Sequence, residues 1–216
     1  MSLKEQLEAR VDASKKKIPV DKQAIMENAT NELLAKELSK SALRTGDKAP
    51  NFTLSNATNK EVKLSDILQE KTAVVSFYRG GWCPYCNMEL QALQSVLPEI
   101  EKNGAQLIAI SPESPDNTLS TTEKNELSFE VLSDVDNAVA KEFGLVFKMP
   151  ENLQDLYKND FNIHVDKANG NDNYELPMPA TYVINKSGEI IYDFVEESYT
   201  TRAEPSEIVD ILSGNN

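Results

Sequence analysis

The chain has 216 residues, of which 40% are hydrophobic and 26% are charged, a composition typical of a globular protein that can bury its own core. Its formal net charge is −13, from 35 acidic and 22 basic residues, and this argues against nucleic acid as a partner because phosphate binding requires a basic surface. The first residues lack the apolar segment of a signal peptide, and no apolar run reaches the roughly 20 residues of a membrane span. We therefore expect a cytoplasmic protein without a membrane segment.

Residues 1–45 are predicted to form a helical extension that differs in character from the rest of the chain. Leu3 and Leu7 lie at helical spacing, and a second helical pattern includes Leu33 and Leu38. Such an extension either packs on the main domain as a structural element or contacts a second copy of the chain and supports a homodimer. The sequence leaves both alternatives open.

Residues 46–216 are predicted to form one domain in which strands and helices alternate. A hairpin is expected at 51–55 and 61–64, before a nearly continuous apolar run at 72–78 that is typical of a buried central strand. A helical pattern at 84–102 follows this strand, and a further strand is expected at 106–111.

The second half of this domain continues the alternation. Its predicted elements are a helix at 116–126, a strand at 129–132, a helix at 137–143, a short helix at 153–157 within an otherwise irregular segment 145–178, a hairpin at 181–185 and 189–195, and a closing helix at 205–213. The order of elements indicates an α/β fold with a central mixed sheet flanked by helices.

The two cysteines of the chain, Cys83 and Cys86, lie where the buried strand ends and the long helix begins. The first turn of a helix has unpaired N–H groups and the positive end of the helix dipole, and both favour a thiolate. The spacing places both sulfur atoms on one helix face, and Pro84 suits the first helical turn. A Cys-x-x-Cys pair in this position predicts thiol redox chemistry, with both cysteines catalytic.

The alternatives for this pair are weaker. A structural zinc site needs about four ligands, and the only histidine, His164, lies far along the chain in a polar segment. Inert buried cysteines do not suit a helix N-terminus. We therefore expect no metal, and the absence of a glycine-rich phosphate loop predicts no nucleotide or flavin cofactor.

The run from Phe77 to Cys86, FYRGGWCPYC, resembles the peroxiredoxin-like branch of the AhpC/TSA family within the thioredoxin superfamily. The resemblance extends from about residue 46 to the C-terminus and includes the stretches 46–54, 107–112 and 176–185. It implies a thioredoxin-like fold, an antioxidant activity toward hydroperoxides and a thioredoxin-type reductant as donor.

The resemblance also shows where this chain departs from the family pattern. Peroxiredoxins carry a P-x-x-x-T-x-x-C motif after the same strand, and counting along it puts Cys86 at the peroxidatic cysteine, Cys83 at the threonine and Arg79 at the proline. The late arginine of the family corresponds in position to Pro179. Arg79, Arg44 and Arg202 are the candidates to replace it, and the sequence does not choose among them.

Other residues at this site resemble thioredoxins and glutaredoxins instead. Trp82 before the pair is thioredoxin-like, and Cys-Pro-Tyr-Cys is the glutaredoxin sequence. The segment around Pro179 resembles the cis-proline loop of thioredoxins, with an ordinary trans turn proline as the alternative. Trp82, Pro179 and Arg79 are therefore predicted substrate-binding residues.

Three functions follow from these features. The first is reduction of hydroperoxides through a reversible Cys83–Cys86 disulfide that a thioredoxin-type donor reduces again. The second is thioredoxin-like reduction of protein disulfides, with Cys83, nearer the helix tip and more exposed, as nucleophile and Cys86 as the resolving thiol. The third is a redox sensor that presents the pair to a partner without turnover.

Overall fold

The computed structural model describes residues 1–214, and in it seven strands form the central sheet. These strands are β1 (Thr53–Asn56), β2 (Glu61–Lys63), β3 (Thr72–Phe77), β4 (Ala105–Ser111), β5 (Glu130–Ser133), β8 (Ala180–Ile184) and β9 (Ile190–Val195), and a separate hairpin is made of β6 (Val146–Lys148) and β7 (Glu175–Pro177). The sheet order is β2-β1-β5-β4-β3-β8-β9. Strands β3, β4 and β5 are parallel, and the other neighbours are antiparallel, so the sheet is mixed as predicted.

Nine helices accompany the strands in the described part of the chain. They are α1 (Leu3–Lys17), α2 (Val20–Lys36), α3 (Leu64–Glu70), α4 (Pro84–Lys102), α5 (Pro115–Lys124), α6 (Ala138–Glu142), α7 (Glu151–Asp155), α8 (Val165–Asn169) and α9 (Pro205–Ser213). A π-helical turn, Leu156–Asp160, continues α7. No helix within residues 1–214 is long and apolar enough to cross a membrane.

Strand β3 lies inside the sheet, between β4 and β8, and its alternate side chains belong to two different cores. Val75 and Phe77 belong to the core on one face, whereas Val74 belongs to the core on the other face, with the period of two that a strand imposes. The second core contains the apolar side of α4 and both cysteines. The strand therefore places its C-terminal end and the start of α4 at the site.

The N-terminal helices pack onto this framework. Leu3 and Leu7 of α1 are buried in the core that contains α4, and a capping box between Ser2 and Glu5 begins the helix. Ala29 of α2 is buried against α7 and its π-helical continuation. The two helices therefore contact the face of the molecule that carries the cysteines.

The prediction for the segment 145–178 was incomplete. It was predicted to be irregular apart from one short helix, but it contains β6, α7, the π-helical turn, α8 and β7. The elements are three to five residues long, so none of them spans enough residues to show a period. Helix α3 was missed for the same reason, since it has seven residues.

Candidate active site

The corner between β3 and α4 requires two glycines. Gly80 has a φ of +149°, and a Cβ atom added there would lie 2.3 Å from Nε1 of Trp82. A Cβ atom on Gly81 would lie 2.0 Å from Oγ1 of Thr121. Side chains at either position would displace these neighbours, so the pair of glycines allows the chain to turn tightly before Cys83.

Cys83 is the N-cap residue of α4, and Cys86 lies in its first turn. The exposed fractions of Cys83 and Cys86 are 2% and 0%. Cys83 is thus the more exposed of the two, as predicted, but both side chains are buried. The difference between them lies in access, because Cys83 lines a cavity of about 630 Å³ and Cys86 does not. Cys83 is therefore the sulfur that a molecule in this cavity can reach.

The environment of Cys83 favours its thiolate. Burial by itself raises the pKa of this thiol, but a hydrogen bond from the Cys86 thiol and the positive charges of Arg79 and Arg202 outweigh burial and lower the pKa to about 6. A thiol with this pKa is largely ionised at neutral pH, and the thiolate is the nucleophilic form.

Cys86 has the opposite character. Burial raises its pKa well above the usual value, and the neighbouring Cys83 thiolate raises it further. Nη2 of Arg202 donates to Sγ of Cys86 over 3.1 Å and lowers the pKa in part. The pair therefore consists of one ionised and one protonated sulfur at neutral pH.

Of the three arginines that could replace the late arginine of the family, Arg202 is the one that donates a hydrogen bond to Cys86. Its Nε donates to Oε2 of Glu89 over 2.5 Å, and its Nη1 donates to the carbonyl oxygens of Tyr199 and Thr201. Burial raises the pKa of Glu89 to about 7 despite this ion pair, whose two side chains are almost fully buried. Arg202 is therefore held rigidly, and one N–H group is directed at Cys86.

Arg79 is also buried, with an exposed fraction of 2%, so its guanidinium is not a solvated surface charge. Its guanidinium carbon lies 5.0 Å from the ring centroids of both Trp82 and Tyr199, and 5.8 Å from that of Tyr157. Its Nη2 donates to the Tyr157 hydroxyl over 3.1 Å, and its Nε has no hydrogen-bond partner. Within residues 1–214 no carboxylate forms an ion pair with it.

A second buried carboxylate, that of Glu113, accepts a hydrogen bond from the corner between β3 and α4. Glu113 follows β4, and its Oε2 accepts hydrogen bonds from the backbone N–H of Gly81 over 3.0 Å and from Oγ1 of Thr121 over 3.2 Å. Burial raises the pKa of Glu113 to about 7. The carboxylate therefore fixes the loop that carries the cysteines to the neighbouring strand and helix.

Two of the other predicted residues lie away from the cavity that Cys83 lines. Pro179 precedes β8 and lines a separate, small cavity, and its peptide bond is trans, like every peptide bond in residues 1–214. The resemblance to a cis-proline loop was therefore wrong in this respect. Arg44 forms an ion pair with Asp193 of β9, the strand at one edge of the sheet. The backbone N–H and the hydroxyl group of Thr45 donate to the same carboxylate.

His164 is half-buried, and its Nε2 lies 3.1 Å from Oδ1 of Asn162. No group of three or more His, Cys, Asp or Glu residues within the described part of the chain is arranged to hold a metal ion. The arrangement around Cys83 and Cys86 thus consists of two sulfurs, two guanidinium groups and aromatic rings.

Sequence reasoning missed Glu89 and two of the aromatic residues around Arg79, Tyr157 and Tyr199. Glu89 had a detectable signal, since it lies three residues after Cys86, next to Leu90 on the buried face of α4. A charged residue in an apolar stripe indicates a buried partner. Tyr157 and Tyr199 had no such signal, because Tyr157 lies in the π-helical turn and Tyr199 lies between β9 and α9, both far from Arg79 in the sequence.

Known proteins resemble this chain in sequence. It is 33% identical over 103 residues to Peroxiredoxin Bcp of Escherichia coli K12, a match that covers 48% of this chain and 65% of that protein. The chain therefore spans just under two thirds of that relative's length. It is also 28% identical over 151 residues to the thiol-disulfide oxidoreductase ResA of Geobacillus kaustophilus, which covers 70% of this chain and 69% of ResA.

The fold resembles that of a solved peroxidoxin. BcpB from Mycobacterium tuberculosis superimposes with a TM-score of 0.65 at 19% identity, and the match covers 81% of this chain and 99% of that one. The thioredoxin-like fold predicted from the sequence is thereby confirmed. A sequence model of the AhpC/TSA family matches residues 45–193, which is more than half of the chain. The chain therefore belongs to the AhpC/TSA family.

Proposed function

We propose that the protein is a thiol-dependent peroxidase in which Cys83 attacks the hydroperoxide and Cys86 resolves the product. The observation that carries this assignment is the asymmetry of the pair: Cys83 lines the cavity and has a pKa of about 6, whereas Cys86 is fully buried with a raised pKa. The family motif places Cys86 at the peroxidatic position, so this chain exchanges the two roles.

The first step is nucleophilic attack by the Cys83 thiolate on the terminal oxygen of the hydroperoxide. The O–O bond breaks, the sulfur is oxidised to a sulfenic acid, and the alkoxide leaves and takes up a proton to become an alcohol. Arg79 and Trp82, which line the same cavity, are proposed to bind the substrate. The Arg79 guanidinium stabilises the negative charge that develops on the leaving oxygen.

The second step joins the two sulfurs. Oxidation of Cys83 removes the thiolate charge that raises the pKa of Cys86, while the Arg202 guanidinium that lowers this pKa stays in place. Cys86 therefore ionises more easily and attacks Sγ of Cys83. The S–O bond breaks and hydroxide leaves as water with the proton that Cys86 releases, which gives the disulfide.

A thioredoxin-type dithiol is the proposed donor that reduces this disulfide and completes the cycle. Its first thiolate attacks Sγ of Cys83, the sulfur that lines the cavity, and Cys86 leaves as a thiolate that takes up a proton. The second thiolate of the donor then attacks the donor's own sulfur in this mixed disulfide, which releases the Cys83 thiolate and leaves the donor with the disulfide. A cytoplasmic setting, where thiols are kept reduced, suits such a donor. This location, a homodimer and a part for Pro179 in substrate binding remain predictions.

Thiol–disulfide exchange is the second candidate function. The Cys-x-x-Cys pair with an acidic N-terminal thiol favours it, as does the similarity to ResA. In this reaction Cys83 would attack the disulfide of another protein. The same residue acts as nucleophile in both functions, so the oxidising substrate distinguishes them.

The test uses Trp82, the only tryptophan in the chain, as a fluorescent reporter next to Cys83. The reduced protein is mixed with hydrogen peroxide in a stopped-flow instrument, and Cys83→Ser and Cys86→Ser variants are compared. We expect the fast signal to be lost in Cys83→Ser and to persist for one turnover, without disulfide formation, in Cys86→Ser. Loss of the signal in Cys86→Ser with retention in Cys83→Ser would overturn the assignment of roles.

Oxidised thioredoxin as substrate tests the second candidate with the same variants. A wild-type protein that reacts with peroxide no faster than a free thiol of equal pKa, but exchanges rapidly with oxidised thioredoxin through Cys83, would replace the peroxidase by a disulfide reductase. If both reactions are slow, the remaining function is the redox sensor.

A further inference from the structure

The cavity beside Cys83 is partly built by the N-terminal helices, which precede the segment 45–193 matched by the family. Helix α1 is fixed by the carboxylate of Glu204, which accepts hydrogen bonds from the backbone N–H groups of Leu3 and Lys4 at 3.2 and 2.5 Å. Arg10 and Lys15 of α1 and Met26 and Glu27 of α2 line the cavity. Part of the cavity wall is therefore formed by the helical extension, which lies outside the segment that the family model matches.

The size of the cavity exceeds what hydrogen peroxide requires. Its volume of about 630 Å³ lies within the range of roughly 300–1,000 Å³ that small organic ligands occupy in proteins. Aromatic and aliphatic side chains, among them Trp82, Tyr85, Phe161 and Ile163, form much of its surface. Such a lining suits an organic group rather than a peroxide alone.

The charge of the cavity is opposite to that of the whole protein. The chain has a net charge of −13, but the cavity is lined by Arg10, Lys15 and Arg79 with Glu27 as the only carboxylate among its lining residues. Arg10 and Lys15 are exposed and form no ion pair within residues 1–214. Two exposed cations that line a largely apolar cavity and form no ion pair among the described residues are complementary to an anionic group.

We propose that the helical extension makes this enzyme selective for organic hydroperoxides that carry an anionic group. The peroxide end lies at Cys83 and Arg79, the organic body contacts the aromatic lining, and the anionic group pairs with Arg10 and Lys15 of α1. This inference rests on the proposed peroxidase function and adds the class of substrate and the residues that select it.

The test compares two hydroperoxides that differ only in charge. Cumene hydroperoxide is neutral, and its para-carboxylate derivative carries one negative charge on the far side of the ring. We expect the wild-type protein to react faster with the carboxylate, and the ratio of the two rate constants to fall about tenfold in Arg10→Gln/Lys15→Gln, the combined contribution of two exposed charge pairs. The matched control is Lys16→Gln/Lys17→Gln, which removes two exposed charges of the same helix that do not line the cavity.

A binding measurement separates this inference from the peroxidase proposal. The product alcohols, with and without the para-carboxylate, are titrated against Trp82 fluorescence and tested for protection of Cys83 from alkylation, neither of which requires peroxide reduction. We expect the carboxylate to bind more tightly in the wild type and in the lysine control, but not in Arg10→Gln/Lys15→Gln.

Equal binding of both alcohols and equal rates with both hydroperoxides would overturn the inference, even if hydrogen peroxide reacts rapidly with Cys83. Selective binding without any peroxide reaction would instead contradict the peroxidase function and leave the anion-selective cavity intact.

Discussion

At the scale of single residues, the site depends on two buried arginines with different partners. Arg202 has a carboxylate, two carbonyl oxygens and Cys86 around it, so its charge is compensated within the protein. Arg79 has three aromatic rings and one phenolic hydroxyl, but no carboxylate among the described residues. A buried cation without a counter-ion is costly, and the negative charge of the Cys83 thiolate offsets part of this cost.

The ionisation of Cys83 gives a direct prediction of pH dependence. Its lowered pKa of about 6 means that the alkylation rate with iodoacetamide should rise with pH and reach half its maximum near pH 6. The rate should be followed by mass spectrometry of the Cys83 peptide between pH 4 and 9. A midpoint near the usual value of 9.0 would contradict the electrostatic account of this site.

At the scale of elements, α4 determines the position of the chemistry. It begins shortly after the buried strand β3 ends, and its buried face carries Cys86, Glu89 and Leu90 in succession. Helices α1 and α9 pack against α4, so the extension and the closing helix both support the element that holds the cysteines. Loosening either helix is therefore expected to alter the cavity as well as the stability.

Truncation of a buried side chain on α1 tests this coupling. Leu7→Ala removes a side chain with 3% exposure from the core around α4 and is expected to lower the free energy of unfolding by about 2–4 kcal/mol. Urea unfolding measures the change. The matched control is Leu34→Ala on α2, which is 49% exposed and should change the stability by less than about 0.5 kcal/mol. Equal effects of the two substitutions would show that α1 is not part of the folded core.

At the scale of the whole molecule, the redox state of the pair is linked to folding. The pKa of Cys83 is about 6 in the folded protein and near 9.0 in an unfolded chain, so the thiolate stabilises the folded reduced form. This contribution is fully present above the unfolded pKa and is lost as the pH falls through 6. The disulfide form has no ionisable thiol and gains nothing from this source.

We expect the reduced protein to gain on the order of 1 kcal/mol of unfolding free energy over the disulfide form between pH 5 and pH 7. Urea unfolding of both forms at the two pH values measures this difference. The Cys83→Ser/Cys86→Ser variant, which lacks both thiols, should follow the disulfide form. Parallel pH profiles of the reduced and disulfide forms would contradict the linkage.

The sequence by itself determined the local parts of this protein. The apolar run predicted β3, the leucine spacing predicted α4 with the bounds that the structure has, and α9 was likewise predicted residue for residue. The cysteine pair at the junction of β3 and α4 remains the predicted place of the chemistry, and the resemblance to the AhpC/TSA family is confirmed. These features are readable because periodicity, caps and short motifs depend on residues close together in the chain.

Only the tertiary structure decided which residues surround the cysteines. Arg202 is 116 residues from Cys86 and follows the last strand, and the cations Arg10 and Lys15 come from the opposite end of the chain. The short elements between 145 and 178, which bring Tyr157 to Arg79, were not predictable from their own residues. Packing of distant segments places these charges and rings together, and no local pattern records such packing.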